Sequence, residues 1–227
     1  MTLNSSALLS ALRAFPTLPD VFNPWADHDS HWDVPGAADT RAQQLASYLD
    51  ARIGRARLVL CAEAAGCYGC KFSGIAMTDE RVLSGNKTSA PFKEGDISPL
   101  PWRRTSNVSN GAPKNGVNEM TSTILYEFLY THGISPYDVV TWNAFPFHPH
   151  KSGNTFSNRT PRTEEIEAAH HLHDVFFNLF SDCQVIAVGN HAKNMLSELG
   201  FEVPAVRHPA NGGAGLFGTQ LGGVLGV

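Results

Sequence analysis

Three side chains with complementary chemistry stand at the ends of short apolar runs. Glu63 closes the run 57–63, Asn143 closes 138–143, and His208 follows 203–207. A carboxylate can orient a water molecule. An amide offers a donor and an acceptor side by side. An imidazole can donate a hydrogen bond to an oxygen that gains negative charge. Brought to one place, the three would read and react with a polar, planar ligand.

The elements around them predict that they meet. Apolar spacing predicts helices over 5–15, 40–53, 118–131, 163–180 and 191–199. Thr163 is the expected N-cap of the fourth, with Glu165 and Glu167 near its start. Strands are expected over 57–63, 138–143, 184–189 and 203–207. Pro-, Asn- and Gly-rich stretches at 16–35, 86–117 and 148–162 read as loops, and the glycine-rich tail 212–227 leaves room for one weak helix. Strands alternating with helices imply an α/β fold, three layers α/β/α around a mostly parallel four-stranded sheet, in a single domain spanning 1–227. In such sheets ligands bind beyond the carboxyl ends of the strands, which is where Glu63, Asn143 and His208 fall.

Composition narrows the class. The 227 residues are 42% hydrophobic and 17% charged, which fits a globular chain with a sizeable core. No run approaches the roughly 18 apolar residues of a membrane span. The first 16 residues lack a basic start followed by a long apolar core, so a cytoplasmic protein is expected. Four cysteines are too few for a disulfide scaffold. The net charge of −4 argues mildly against nucleic acid. Against that, Lys71, Arg81, Lys87, Lys93, Arg103, Arg104 and Lys114 gather in one stretch that could form a local positive face.

Short motifs in fixed order give a resemblance. Ala62-Glu63-Ala64-Ala65-Gly66, followed by Lys71-Phe72-Ser73-Gly74, resembles the first motif of the uracil-DNA glycosylase superfamily, closest to its Gly-Glu-Ala-Pro-Gly branch. Asn143 matches an asparagine that ends a strand there. Asn158-Arg159-Thr160-Pro161, leading into Glu164-Glu165-Ile166, resembles a segment that opens a helix. His208-Pro209-Ala210 resembles the His-Pro-Ser motif. The likeness covers about 58–218. It implies a DNA glycosylase that flips uracil out of DNA and hydrolyses the N-glycosidic bond in base excision repair. The implied uracil pocket is Ala64, Gly66, Phe72 and Asn143, with Phe72 stacking on the base. The implied catalytic residues are His208 and Glu63. Lys71, Pro209, Asn211, Gly212, Gly213 and Leu216 would contact DNA, with Leu216 or Phe217 filling the hole left by the extruded base. The expected partner is uracil-containing DNA, and a monomer is expected.

Departures from the pattern matter. The slot that holds a water-positioning Asp or Asn in strongly hydrolytic members is Ala64, so a protein that binds or crosslinks uracil DNA with little turnover is the alternative. The iron–sulfur cysteines of the thermostable branch are missing from 145–149 and 168–171, so neither cluster, metal nor other cofactor is expected. Cys67-Tyr68-Gly69-Cys70 admits a thiol oxidoreductase reading, but the order of elements is wrong for it and 71–74 reads as non-helical. His170 and His173 share a helical face, yet no second pair at metal-ligand spacing accompanies them.

Overall fold

The computed structural model describes residues 4–227. Six strands and eight helices follow in order: α1 (Ser6–Arg13), β1 (Val21–Phe22), α2 (Ala37–Asp50), β2 (Leu58–Ala64), α3 (Cys70–Ser73), α4 (Glu80–Leu83), α5 (Met120–Thr131), β3 (Val139–Phe145), β4 (His148–Pro149), α6 (Thr163–Leu179), β5 (Gln184–Val188), α7 (Asn190–Glu198), β6 (Ala205–Val206) and α8 (Ala214–Leu225). The central sheet has the order β3-β2-β5-β6, and every pair is parallel. Helices flank it, as the alternation predicts. A two-stranded antiparallel ribbon, β1 with β4, was not expected; it ties two stretches read as loops.

β2 sits inside the sheet, and Val59, Leu60 and Cys61 are closed from solvent on both faces. A continuous apolar run suits a central parallel strand. Leu45 and Leu49 project from α2 into the core, and each such burial is worth about 1.5–3 kcal/mol. The Tyr48 hydroxyl lies 3.0 Å from Thr141 Oγ1 and accepts the Thr141 N–H, which fixes α2 against β3. Trp142 of β3 stacks on Phe176 of α6 at 4.2 Å between ring centroids.

The long segment 86–117 is anchored instead of loose. The buried Glu80 carboxylate accepts from Thr105 N–H, Ser106 N–H, Ser106 Oγ and Val117 N–H at 2.5–3.2 Å. Arg52, also buried, donates to the Ile97 carbonyl at 2.9 Å. Three local expectations are corrected. The cap of α6 is Arg162, not Thr163, because the Glu165 carboxylate reaches back to the Arg162 N–H at 2.8 Å and leaves no need for a hydroxyl. Residues 70–73 form one helical turn, closed by Gly74 in the left-handed region (φ 74). The tail helix is three turns long. Among the described residues no helix is long and apolar enough to cross a membrane.

Candidate active site

Because the four strands are parallel, the segments after β2, β3 and β6 leave the same edge of the sheet. They enclose a cavity of about 470 Å³. Its wall includes Glu63, Ala64 and Gly66 from the end of β2, Asn143 from β3, and His208 just past β6. The three side chains singled out in the sequence therefore share one chamber.

Each is held by local structure. Asn143 is 3% exposed and sits in register with Ala62 across the β2–β3 ladder. Gly189, with φ 97, ends β5 and lets the chain pass against His208: a Cβ there would lie 3.0 Å from the histidine Cβ. His208 Nδ1 accepts the Ala210 N–H at 3.1 Å. A ring nitrogen that accepts carries no proton, so Nε2 carries it in the neutral ring. Burial, with the nearby Arg207, pushes the His208 pKa below its usual value and keeps the ring neutral. The ring is thereby a preset neutral donor.

The turn after β2 is braced from the 147–158 segment. Ala65 N–H donates to the Phe147 carbonyl at 3.2 Å, and Cys67 N–H donates to Asn158 Oδ1 at 3.0 Å. Arg159 clasps Glu165 through two contacts of 2.7 and 2.8 Å and also donates to the carbonyls of His150 and Asp20. The Asn158-Arg159-Thr160-Pro161 stretch thus acts as a bracket for the cavity wall.

Two expected residues lie elsewhere. Phe72 is fully buried outside the chamber, in an apolar cluster with Ala112 and Val117 against Trp32 and Phe156. The α3 turn rotates it away. The larger aliphatic side chains in the chamber wall are Met77 and Met120, and the Met77 backbone adopts the left-handed region (φ 48), uncommon for a non-glycine residue. Half-exposed Tyr68 stands between the chamber and the cleft beside Phe72. Lys71 is 0% exposed, with Nζ 2.9 Å from Asp29 Oδ2, so it is internal and not on a DNA-facing surface. Burial works against Asp29 ionising, but hydrogen bonds from Thr155 and Lys71 outweigh it and hold the carboxyl at about 2. Lys87 is likewise buried on Asp79. The expected basic face loses two of its cations this way.

The segment after His208 divides by exposure. Pro209 and Gly213 are buried, while Asn211 and Gly212 are exposed in left-handed conformations (φ 54 and 75). On the first turn of α8, Leu216 is 58% exposed and Phe217 1% exposed in the core. Of the two wedge candidates, only Leu216 faces outward.

Glu119 was not anticipated. It immediately precedes α5, lines the chamber, and has a buried Oε2 with no hydrogen-bond partner among the described residues. In sequence it looks like an ordinary acidic residue at a helix start. Burial, reinforced by the Asp79 charge and opposed by Lys87, pushes its carboxyl up to about 7.

The cysteines do not form a reactive set. All four are free. Burial and the Glu119 charge push Cys67 up to about 11, and burial also raises Cys70, so both stay protonated thiols instead of nucleophilic thiolates. Cys183 donates to the Ala56 carbonyl at the opposite sheet edge, so the thiols present do not fit a four-cysteine cluster. Among the described residues no group of three or more His, Cys, Asp or Glu is placed to hold a metal.

No protein-family model matches the chain, and the curated proteins contain no match. The solved structure of wild-type SMUG2 from Pedobacter heparinus matches with a TM-score of 0.64 at 11% identity, over 99% of this chain and 98% of that one. The likeness extends over the whole chain and is one of fold. The α/β architecture around a parallel four-stranded sheet, expected from the alternation of strands and helices, is thus shared with that structure.

Proposed function

We propose that the protein is a monofunctional DNA glycosylase that extrudes uracil from DNA, binds it in the chamber at the strand ends, and releases it to leave an abasic site. The observation that carries the reading is the shared chamber of Asn143 and His208, with the Ala210 N–H on Nδ1 leaving Nε2–H as the donor. As the glycosidic bond breaks, its electron pair passes to the base, and charge builds on a ring carbonyl. A preorganised donor at that oxygen is worth about 3–4 kcal/mol of barrier. His208 Nε2 supplies it. The Asn143 amide pairs with the uracil edge, where cytosine would present the reversed donor and acceptor. Met77 and Tyr68 offer the apolar contact that the sequence assigned to Phe72. Glu63, at the chamber rim, orients the water that adds to the anomeric carbon. Asn211, Gly212 and Leu216 form the outward part of the DNA contact, and the protein acts as a monomer.

The second reading, a uracil-DNA-binding protein with little turnover, is favoured by one observation: Ala64 places a methyl group where a water-holding side chain would serve. One assay separates the two. A uracil-containing oligonucleotide is incubated with the protein and then treated with alkali. Strand scission at the uracil position is expected. A band shift without scission would favour the binding protein, and neither outcome would remove both.

A further inference from the structure

The turn that leaves β2 carries Gly66 and Gly69, and the space their side chains would fill is taken by the carboxyl of Glu119. A Cβ on Gly66 would lie 2.6 Å from Glu119 Oε1, and one on Gly69 would overlap Oε2. The carboxyl arrives from a distant segment. Its backbone is fixed by the Glu119 N–H donating to Asp79 Oδ2 at 2.9 Å and by the Glu119 carbonyl accepting from Thr123. Such positioning buries Oε2 without a partner against Gly69, while Glu119 lines the chamber that also holds Asn143 and His208. A buried carboxyl oxygen left without a hydrogen bond is unfavourable. Oε1 also makes no hydrogen bond among the described residues and, unlike Oε2, is not closed off, so it is the oxygen that an extruded base in the chamber would partner.

The groups facing Glu119 decide its form. Asp79 caps α4 beside it, and Lys87 Nζ donates at 2.6 Å to the same Asp79 oxygen that accepts the Glu119 N–H, and also to Asn118 and Thr123. Cys67 and Cys70 of the glycine turn are protonated thiols. Glu63, Arg159 and His208 line the same chamber, and Arg159 is engaged by Glu165. Near neutral pH the carboxyl therefore exchanges between a form with an O–H donor and one with only acceptors.

We infer that Glu119, in its protonated form, is a further base-recognition residue whose O–H donates to a carbonyl oxygen on the edge of the extruded base that faces the Gly66–Gly69 turn. This rests on the glycosylase reading above. The ionised form would set a carboxylate against that carbonyl and repel it. Release therefore slows as pH rises through the Glu119 range. His208, pushed below its usual value, titrates on the acid side and cannot produce that alkaline limb.

The test is single-turnover uracil release from a uracil-containing oligonucleotide, from about pH 5.5 to 9, for wild type, Glu119→Gln and Glu119→Ala, with thermal melting to confirm folding. Wild type is expected to lose about tenfold in rate per pH unit above its midpoint. Glu119→Gln keeps a donor at every pH, so it should retain the low-pH rate within a few-fold and lose the limb. Glu119→Ala should be slowed about tenfold or more at low pH. If it fails to fold, the Glu119→Gln profile decides. Wild-type release that rises with pH, with Glu119→Gln inactive throughout, would make Glu119 a base and overturn the inference. So would three profiles of the same shape and height. Both results leave uracil release itself standing. A wild type that neither releases uracil nor prefers uracil DNA over thymine DNA at any pH overturns the glycosylase reading and this inference together.

Discussion

At the scale of single residues, the proposed function gives two chamber side chains separate tasks that are often merged in a binding pocket. In the proposed reaction His208 acts on the charge that appears, because its Nε2–H is preset by the contact at Nδ1. His208→Ala should lower the single-turnover release rate by about two orders of magnitude while leaving the unfolding midpoint near wild type. An unchanged rate would take the imidazole out of the chemistry. In the proposed function Asn143 acts on identity. Asn143→Asp replaces an amide donor with an acceptor, or with an O–H when protonated, and should relax or abolish discrimination between uracil and cytosine. Competition between uracil- and cytosine-containing oligonucleotides measures it. Wild-type selectivity in the variant would show that another group reads the base.

At the scale of elements, one helical step of α8 places two neighbouring side chains in opposite surroundings. Leu216 and Phe217 are neighbours in sequence, yet one is exposed and the other packs near Phe128 at 6.2 Å between ring centroids. Leu216→Ala should change stability by no more than about 0.5 kcal/mol, as expected for an exposed side chain. It should also slow uracil release from duplex about tenfold and spare single strands, where no stack needs refilling. Phe217→Ala should instead cost about 3–5 kcal/mol in urea unfolding. Equal loss on duplex and single-stranded substrates in Leu216→Ala would remove the wedge assignment. The same contrast shows what could be read beforehand. Asn143 and His208 were legible because a residue at the end of a parallel strand is placed by the sheet itself. Phe72 was not, because the one-turn helix at 70–73 decides which way it faces, and four residues carry no useful periodicity. Glu119 was hidden for another reason: its position is defined by Gly66 and Gly69, some fifty residues away in the chain. Lys71 looked like a phosphate contact because nothing local announces Asp29 as its partner.

At the scale of the whole molecule, the packing that holds the strand ends also stores a sensitivity to acid. His173 of α6 is fully buried, and its ring nitrogens make no well-formed hydrogen bond among the described residues, only a loose contact with the Ala144 backbone that offsets little of the burial. Burial pushes it down from 6.5 to about 4 in the folded chain. Between those values the unfolded chain binds a proton that the folded chain refuses. Stability is therefore full above about pH 6.5 and falls as the pH drops towards 4, by up to about 3 kcal/mol from this residue. Burial of His148 works in the same direction. Glu119 works against both, because its raised value means that the folded chain holds the proton more tightly between about 4.5 and 7. His173→Leu isolates one contribution. It removes two buried polar atoms whose best contact is a loose one with the Ala144 backbone, so the variant should be as stable as wild type or more so at pH 7. Its urea midpoint should then fall less steeply than that of wild type between pH 6.5 and 4, while the Glu119 and His148 contributions cancel in the comparison. Parallel curves for the two proteins would mean that His173 is solvated or paired in solution, and the α6 face against β3 would then be looser than its packing indicates.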